Sequence, residues 1–234
     1  MASGTLEFTA RADSLRLDPI EIYVTPHSAV EKIIVKTEKE KGLVIVFHLT
    51  DIFTEDRARD IAENFLDAIL NRLAFDFDVS IGPPYGGDYK LPKDEHGSMY
   101  TLGKSLRLSW QVAAPTVNPN LTKRQDLEKC LEQPYTLHDP YYCAYRFAIS
   151  VHDPVTRFLF LYSTLLQIIL DKQGKDTITA ADNLIRLLEP GVLQTLSPHT
   201  GKGETIYTRL RNEVGHARPG VAPSNTYNEI EKNV

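Results

Sequence analysis

Between Val155 and Leu170 the chain is apolar almost all the way round a helical turn: Phe158 to Tyr162 are five apolar residues in a row, and Leu165, Leu166, Ile168, Ile169 and Leu170 follow. A helix on a protein surface shows one apolar stripe and one polar face. This one has no continuous polar face, so it is expected at the centre of a helical assembly or partly buried against another subunit. The preceding Asp153-Pro154 supplies an acid at the N-cap and a proline in the first turn, and Asp139-Pro140 repeats the signal one helix earlier. His138 and His152 therefore read as parts of helix starts and not as metal ligands. The run falls short of the roughly 20 apolar residues needed to cross a bilayer. The small, polar start from Met1 to Leu6 lacks the basic and apolar regions of a signal peptide. No membrane association and a cytoplasmic location are expected.

Upstream of this helix the pattern is different. The runs 20–24, 33–37 and 43–49 are rich in β-branched and aromatic residues, and Glu38-Lys39-Glu40-Lys41-Gly42 joins the last two as a charged hairpin turn. Thr54 precedes Glu55 and Asp56, acids suited to a first helical turn, and Ala58, Ile61, Ala62, Phe65, Ile69, Leu70 and Leu73 recur at helical spacing. A helix over 55–74 is expected, with Glu63, Asp67 and the other acids on its solvated face. Residues 75–81 and 105–112 read as strands joined by a Gly/Pro-rich stretch over 82–103, and 113–122 is the expected domain boundary. Gly82-Pro83-Pro84-Tyr85-Gly86-Gly87 lacks the Lys-Ser/Thr ending of a phosphate loop and reads as a structured turn. The two cysteines, Cys130 and Cys143, are too few for a disulfide framework and are expected to be reduced.

The net charge of −5 argues against a protein that coats DNA, since binding to phosphates draws on a basic excess. That acidity is confined to the first part: residues 1–149 carry 17 basic and 22 acidic side chains, whereas 150–234 carry nine of each. A local basic cluster in the second part is compatible with this. Further helices are expected over 180–188, stopped by Glu189-Pro190-Gly191, and along the stripe Ile206, Leu210, Val214, ending at Gly215-His216. A last helix is expected to begin near Thr226, with Tyr227, Ile230 and Val234 in register, and to be cut by the end of the chain. That predicts a longer natural protein.

The sequence Arg211-Asn212-Glu213-Val214-Gly215-His216 places an arginine, a polar residue directly after it and a histidine four intervening residues on, all at the end of a helix. In this setting it resembles the HEPN superfamily (higher eukaryotes and prokaryotes nucleotide-binding), over about residues 135–234. The N-terminal part lies outside the resemblance. The exit Ala217-Arg218-Pro219-Gly220 is also similar to a MauJ-type group associated with methylamine utilisation, whose members look like a mixed N-terminal domain fused to a HEPN-like one. The resemblance implies a helical domain that dimerises so that two motifs face each other and, in catalytic members, metal-independent cleavage of RNA. Spacing alone is a weak signal, because an Arg with a His after four to six intervening residues also occurs at Arg146 to His152 and Arg209 to His216. Arg146, followed by Phe147 and set between two helix starts, reads as a decoy.

The residue types suit that chemistry. Metal-free RNA cleavage needs a proton removed from the 2′-hydroxyl as it attacks the phosphate, and stabilisation of the charge that grows on phosphorus. His216 is able to take or give a proton near neutral pH, Arg211 to clamp non-bridging oxygens through its planar fork, and Asn212, one turn before His216, to orient either partner. Lys202, Arg209 and Arg218 are candidate RNA contacts. Arg211 and His216 are five residues apart, about 140° round a helix. Either His216 leaves the helix at Gly215, or a second subunit completes the site. The competing structural reading is that Arg209, Arg211 and His216 only complement the helix dipole and cap its carbonyls. Tyr135, Tyr141, Tyr142 and Tyr145 are candidates for base stacking, with core packing as their ordinary role.

The expectation is thus an α+β protein: an N-terminal mixed domain over 1–114, sensing or selecting a substrate, and a HEPN-like helical bundle over 118–234. The expected function is a metal-independent, cofactor-free endoribonuclease acting on RNA as a homodimer, with Arg211, Asn212 and His216 catalytic. The alternative is a HEPN-like dimerisation or nucleotide/RNA-binding protein without chemistry, an accessory factor in amine metabolism.

Overall fold

The computed structural model describes residues 3–12, 15–24, 29–52, 54–90, 101–102, 140–174, 177–198, 200–216 and 222–233. Helices and antiparallel strands are both present, as expected of an α+β protein. The chain divides into two compact units, 1–146 and 147–234. The expected boundary at 113–122 and the expected strand at 105–112 lie outside the described residues, as do Cys130, Tyr135, Asp139 and Arg218.

In the first unit, strands β1 (Ser3–Ala10), β2 (Ile20–Tyr23), β3 (Val30–Glu38), β4 (Gly42–Thr50), β5 (Pro84–Lys90) and β6 (Thr101–Leu102) form one sheet in the order β2-β3-β4-β1-β5-β6. The pairing is antiparallel throughout. The hairpin expected at 38–42 is present: Glu38 pairs with Gly42, whose φ of 77° is the left-handed conformation that favours glycine. Strand β1 is central, and Leu6, Phe8 and Ala10 alternate into the core. Helix α1 (Glu55–Phe77) covers the sheet with Ala58, Ala62, Leu66, Ile69, Leu73 and Phe77.

Three expectations for this unit are corrected. The helix does not stop at 74: Phe75, Asp76 and Phe77 continue it, and Asp78 in the left-handed conformation ends it, with its N–H on the Ala74 carbonyl. There is accordingly no strand over 75–81, although Val79 and Ile81 are buried. The Gly/Pro-rich stretch is not simply a connection, since Pro84–Lys90 is a strand beside β1 with a register shift at Glu7/Phe8. Gly86 and Gly87, at φ 95° and 91°, absorb that bulge. Thr54 occupies the N-cap position with extended backbone, but its side chain makes no capping bond.

The first half of helix α2 (Pro140–Ser150) belongs to this unit. Tyr142 and Tyr145 pack their rings on Phe75, Tyr142 shares its hydroxyl with Arg72, and Tyr145 donates to Asp78. Burial pushes the Tyr145 hydroxyl well above its ordinary range, and the Asp78 carboxylate adds to the shift. These two rings thus make the packing contacts that are the ordinary role of such residues.

In the second unit, helix α3 (Pro154–Gln173) is central: α4 (Ile178–Leu188), α5 (Ile206–His216) and α6 (Pro223–Asn233) all pack on it. Its N-cap is built as the sequence indicates, with Asp153 accepting from the Thr156 N–H at 2.7 Å and Pro154 in the first turn. Phe158, Tyr162 and Ile169 are buried with Ala181, Val192, Ile206, Leu210 and Ile230. Each large apolar side chain so buried contributes about 1.5–3 kcal/mol. Strands β7 (Gln194–Leu196) and β8 (Gly203–Thr205) make a small hairpin where the sequence suggested only a loop. Helix α6 starts at Pro223 rather than near Thr226, and Thr226, not Tyr227, faces inward beside Ile230. Among the described residues, no helix is long and apolar enough to cross a membrane.

Candidate functional site

The C-terminal hairpin leads straight into the motif helix. Strand β8 ends at Thr205 and α5 begins at Ile206, so Glu204 and Thr205 are carried to the foot of the helix bearing Arg211 and Asn212. Both are buried, at 5% and 0% exposure, and so is Asp182 of α4, at 5%. Buried polar groups require partners, and here they supply one another. Asp182 Oδ1 accepts from the Thr205 N–H at 2.9 Å and from the Thr208 hydroxyl at 2.8 Å. The Tyr162 hydroxyl lies 2.8 Å from Thr208 Oγ1. Since the Thr208 proton is spent on Asp182, Tyr162 is the donor in that bond, and the chain runs from phenol to hydroxyl to carboxylate. Burial pushes the Tyr162 hydroxyl up, and the charges of Asp182, Arg211 and Glu204 all act on it.

Arg211 and Asn212 are brought together. One Arg211 Nη donates to Asn212 Oδ1 at 3.1 Å, and Asn212 Nδ2 donates to Glu204 Oε2 at 3.3 Å. Asn212 therefore bridges a cation and a buried carboxylate. His216 is the last residue of α5, and the helix passes through Gly215 without a break. Of the two alternatives that the spacing leaves open, His216 leaving the helix at Gly215 is not the one found: the two positions stay about 140° apart round one helix.

Arg209 is not placed as the sequence suggested. Its guanidinium donates to Glu213 Oε1 at 3.0 Å and to Glu229 of α6, and Glu213 also accepts from the Thr226 hydroxyl at 2.9 Å. Two carboxylates meet one cation there, so Arg209 ties α5 to α6 and offers no free charge to a phosphate. Arg209→Ala should lower the stability of the second unit by about 2 kcal/mol, because Glu213 would be left buried with one hydroxyl partner. Thermal unfolding of the variant checks this, and a loss under about 0.5 kcal/mol would contradict it. Lys202 is exposed in the β7–β8 loop, its N–H resting on Thr200 Oγ1 at 3.4 Å.

Four residues in this network escaped the sequence reading as polar participants: Glu204, Asp182, Thr208 and Tyr162. Glu204 stands alone after a Gly-Lys-Gly turn, where no periodicity marks burial, and Tyr162 was absorbed into an apolar run. Arg146 is held by first-unit acceptors at Asp67, Asn71, Ile81 and Gly82, consistent with its reading as a decoy. The first unit also holds a cavity of about 190 Å³ between α1 and β5, floored by Phe8 and Leu66 and rimmed by Arg59, Glu63 and Tyr85. Among the described residues no group of three or more His, Cys, Asp or Glu side chains is arranged to hold a metal ion. In comparisons with protein families, curated proteins and solved structures, the chain matches none.

Proposed function

We propose that the chain is a metal-independent endoribonuclease whose second part is a HEPN-like helical bundle, working in the cytoplasm as a homodimer. The first domain would sense or select the RNA. The observation that carries this reading is the direct bond between Arg211 and Asn212 on a helix that ends at His216. In the proposed reaction His216 moves the proton, Arg211 meets the charge on the phosphate, and Asn212 sets their orientation. The angular separation of Arg211 and His216 on α5 favours a site completed by a second copy.

The test is incubation of the full chain with mixed RNA in EDTA, beside Arg211→Ala and His216→Ala. Cleavage that leaves 2′,3′-cyclic phosphate ends and falls about 10²–10³-fold in both variants is the expected result. Equal cleavage in wild type and variants would sink the proposal. A second reading is favoured by one observation: Arg209 is matched by Glu213 and Glu229, and Arg211 is linked to Glu204 through Asn212, so carboxylates accompany the cations near the motif. A HEPN-like dimerisation or nucleotide-binding protein without chemistry, such as an accessory factor in amine metabolism, would tolerate that balance. RNA retained in a filter assay but never cleaved selects it.

A further inference from the structure

We infer that Glu204 is a positioning residue for the Arg211–Asn212 pair: its carboxylate fixes the direction of the Asn212 side-chain amide and, through it, the Arg211 guanidinium. The inference rests on the nuclease reading only for its catalytic consequence, not for its geometry.

A side-chain amide has two ends of nearly equal shape and opposite hydrogen-bonding character, so a half-rotation exchanges an acceptor for a donor. Only one of the two orientations serves Arg211, whose guanidinium has donors and no acceptor: the oxygen must face it. The observed arrangement meets this requirement, with Arg211 Nη on Asn212 Oδ1 at 3.1 Å. Nothing in Arg211 alone holds the other end in place. Glu204 does so, because an ionised carboxylate only accepts, and Asn212 Nδ2 donates to its Oε2 at 3.3 Å. Turning the amide over would set oxygen against carboxylate and NH2 against guanidinium, losing both bonds and adding two like-polarity contacts.

Glu204 is itself well fixed. It is 5% exposed, and the next residue is anchored through its backbone N–H to Asp182 at 2.9 Å. A buried, backbone-anchored acceptor is a better reference point than a solvated side chain, since little rotamer freedom is left to blur it. The charge of Glu204 acts on Tyr162 of α3 together with those of Asp182 of α4 and Arg211 of α5. A pure packing role would need only the shape of the glutamate side chain. A positioning role needs its acceptor oxygen, which glutamine retains and leucine lacks.

The experiment uses the full chain with Glu204→Gln and Glu204→Leu, and reads both steady-state cleavage of a defined RNA and the Asn212 side-chain NH2 by NMR of asparagine-labelled protein. The expected result is a kcat about 30-fold lower for Glu204→Leu with KM within about threefold, and rescue by Glu204→Gln to within about threefold of wild type. The Asn212 NH2 should be protected from solvent exchange in wild type and Glu204→Gln and unprotected in Glu204→Leu. Undiminished kcat in Glu204→Leu overturns the inference. Equal loss in both variants also overturns it, since an acceptor oxygen at this position would then not be what the pair requires. If wild-type protein cleaves no RNA, the nuclease reading fails, and the NH2 signal alone decides: identical exchange in all three proteins rejects Glu204 as the reference point. Thermal melting of Glu204→Gln controls for folding.

Discussion

Arg146→Met is expected to destabilise the first unit by about 3 kcal/mol, with the cost arising from orphaned acceptors more than from the lost charge. Arg146 Nε reaches the Ile81 carbonyl at 3.3 Å, one Nη reaches Asn71 Oδ1 at 3.1 Å and Asp67 Oδ1 at 3.4 Å, and the other reaches the Gly82 carbonyl at 3.1 Å. Its side chain is 13% exposed, whereas Asp67 is 72% exposed. Water can therefore replace Arg146 at Asp67, and that bond contributes little. Water cannot so readily replace it at Asn71, which is 8% exposed, or at the backbone beyond α1. Methionine keeps the aliphatic stem and isolates the loss of the fork. Arg146→Lys should recover less than half, because one ammonium cannot span acceptors on both the helix and the 81–82 segment. Hydrogen exchange of β1 and β4 amides measures the effect: about 3 kcal/mol corresponds to roughly a hundredfold faster exchange through global opening of the unit. A change of less than fivefold would show that the four bonds are not jointly stabilising.

Arg146 also shows which parts of the structure were legible in the sequence. Periodic patterns were: the stripe from Ala58 to Leu73 gave α1, Ile206, Leu210 and Val214 gave α5, and the β-branched runs flanking Glu38 to Gly42 gave the β3–β4 hairpin. Local chemistry was also readable, as in the Asp153 cap. Patterns misled where two structures share one signal. Phe75 and Phe77 suit a strand by alternation, yet both lie in α1, where Phe77 extends the buried stripe while Phe75 stays exposed. Pro84 to Gly87 have the composition of a turn, but glycines at positive φ also build a bulged strand when a neighbour such as β1 supplies the ladder. That neighbour lies over 70 residues away, so no local window contains the deciding information.

The candidate site divides in the same way. Arg211 and Asn212 are adjacent in the chain, and their bond required only the identities of neighbouring residues. Glu204, Asp182, Thr208 and Tyr162 converge from β8, α4, α5 and α3, and a polar residue destined for burial looks in sequence like one destined for water. Arg209 and Arg218 were indistinguishable from Arg211 as cations. What separates Arg209 from Arg211 is the packing of α6, which brings Glu229 to one of them.

Asp182→Ala is expected to cost the second unit about 3 kcal/mol, since it removes the one acceptor of two buried donors, each worth about 1–3 kcal/mol when left unmade. The two donors are not equivalent. Thr208 keeps an escape, because its hydroxyl can rotate toward Tyr162 and reverse that bond, at 2.8 Å, so that the phenol accepts. The Thr205 N–H is fixed by the start of α5 and has no such freedom, so most of the loss should appear at the β8–α5 junction. Hydrogen exchange resolved at Thr205 against Leu210 tests this ordering: faster exchange confined to Thr205 is expected first, with global loss of protection following at higher denaturant. Asp182→Asn separates two further possibilities. Its carbonyl oxygen can take both bonds of Asp182 Oδ1, so a hydrogen-bond anchor predicts stability within about 1 kcal/mol of wild type. If Asp182→Asn is as damaging as Asp182→Ala, the negative charge itself is needed. The counter-charge would then be Arg211, whose charge acts on Tyr162 together with that of Asp182. In that case Arg211 would be partly held as the counter-ion of a buried acid, and its affinity for phosphate should rise when Asp182 is neutralised. Tighter binding of inorganic phosphate by Asp182→Asn, abolished by adding Arg211→Ala, is the result that would establish the coupling.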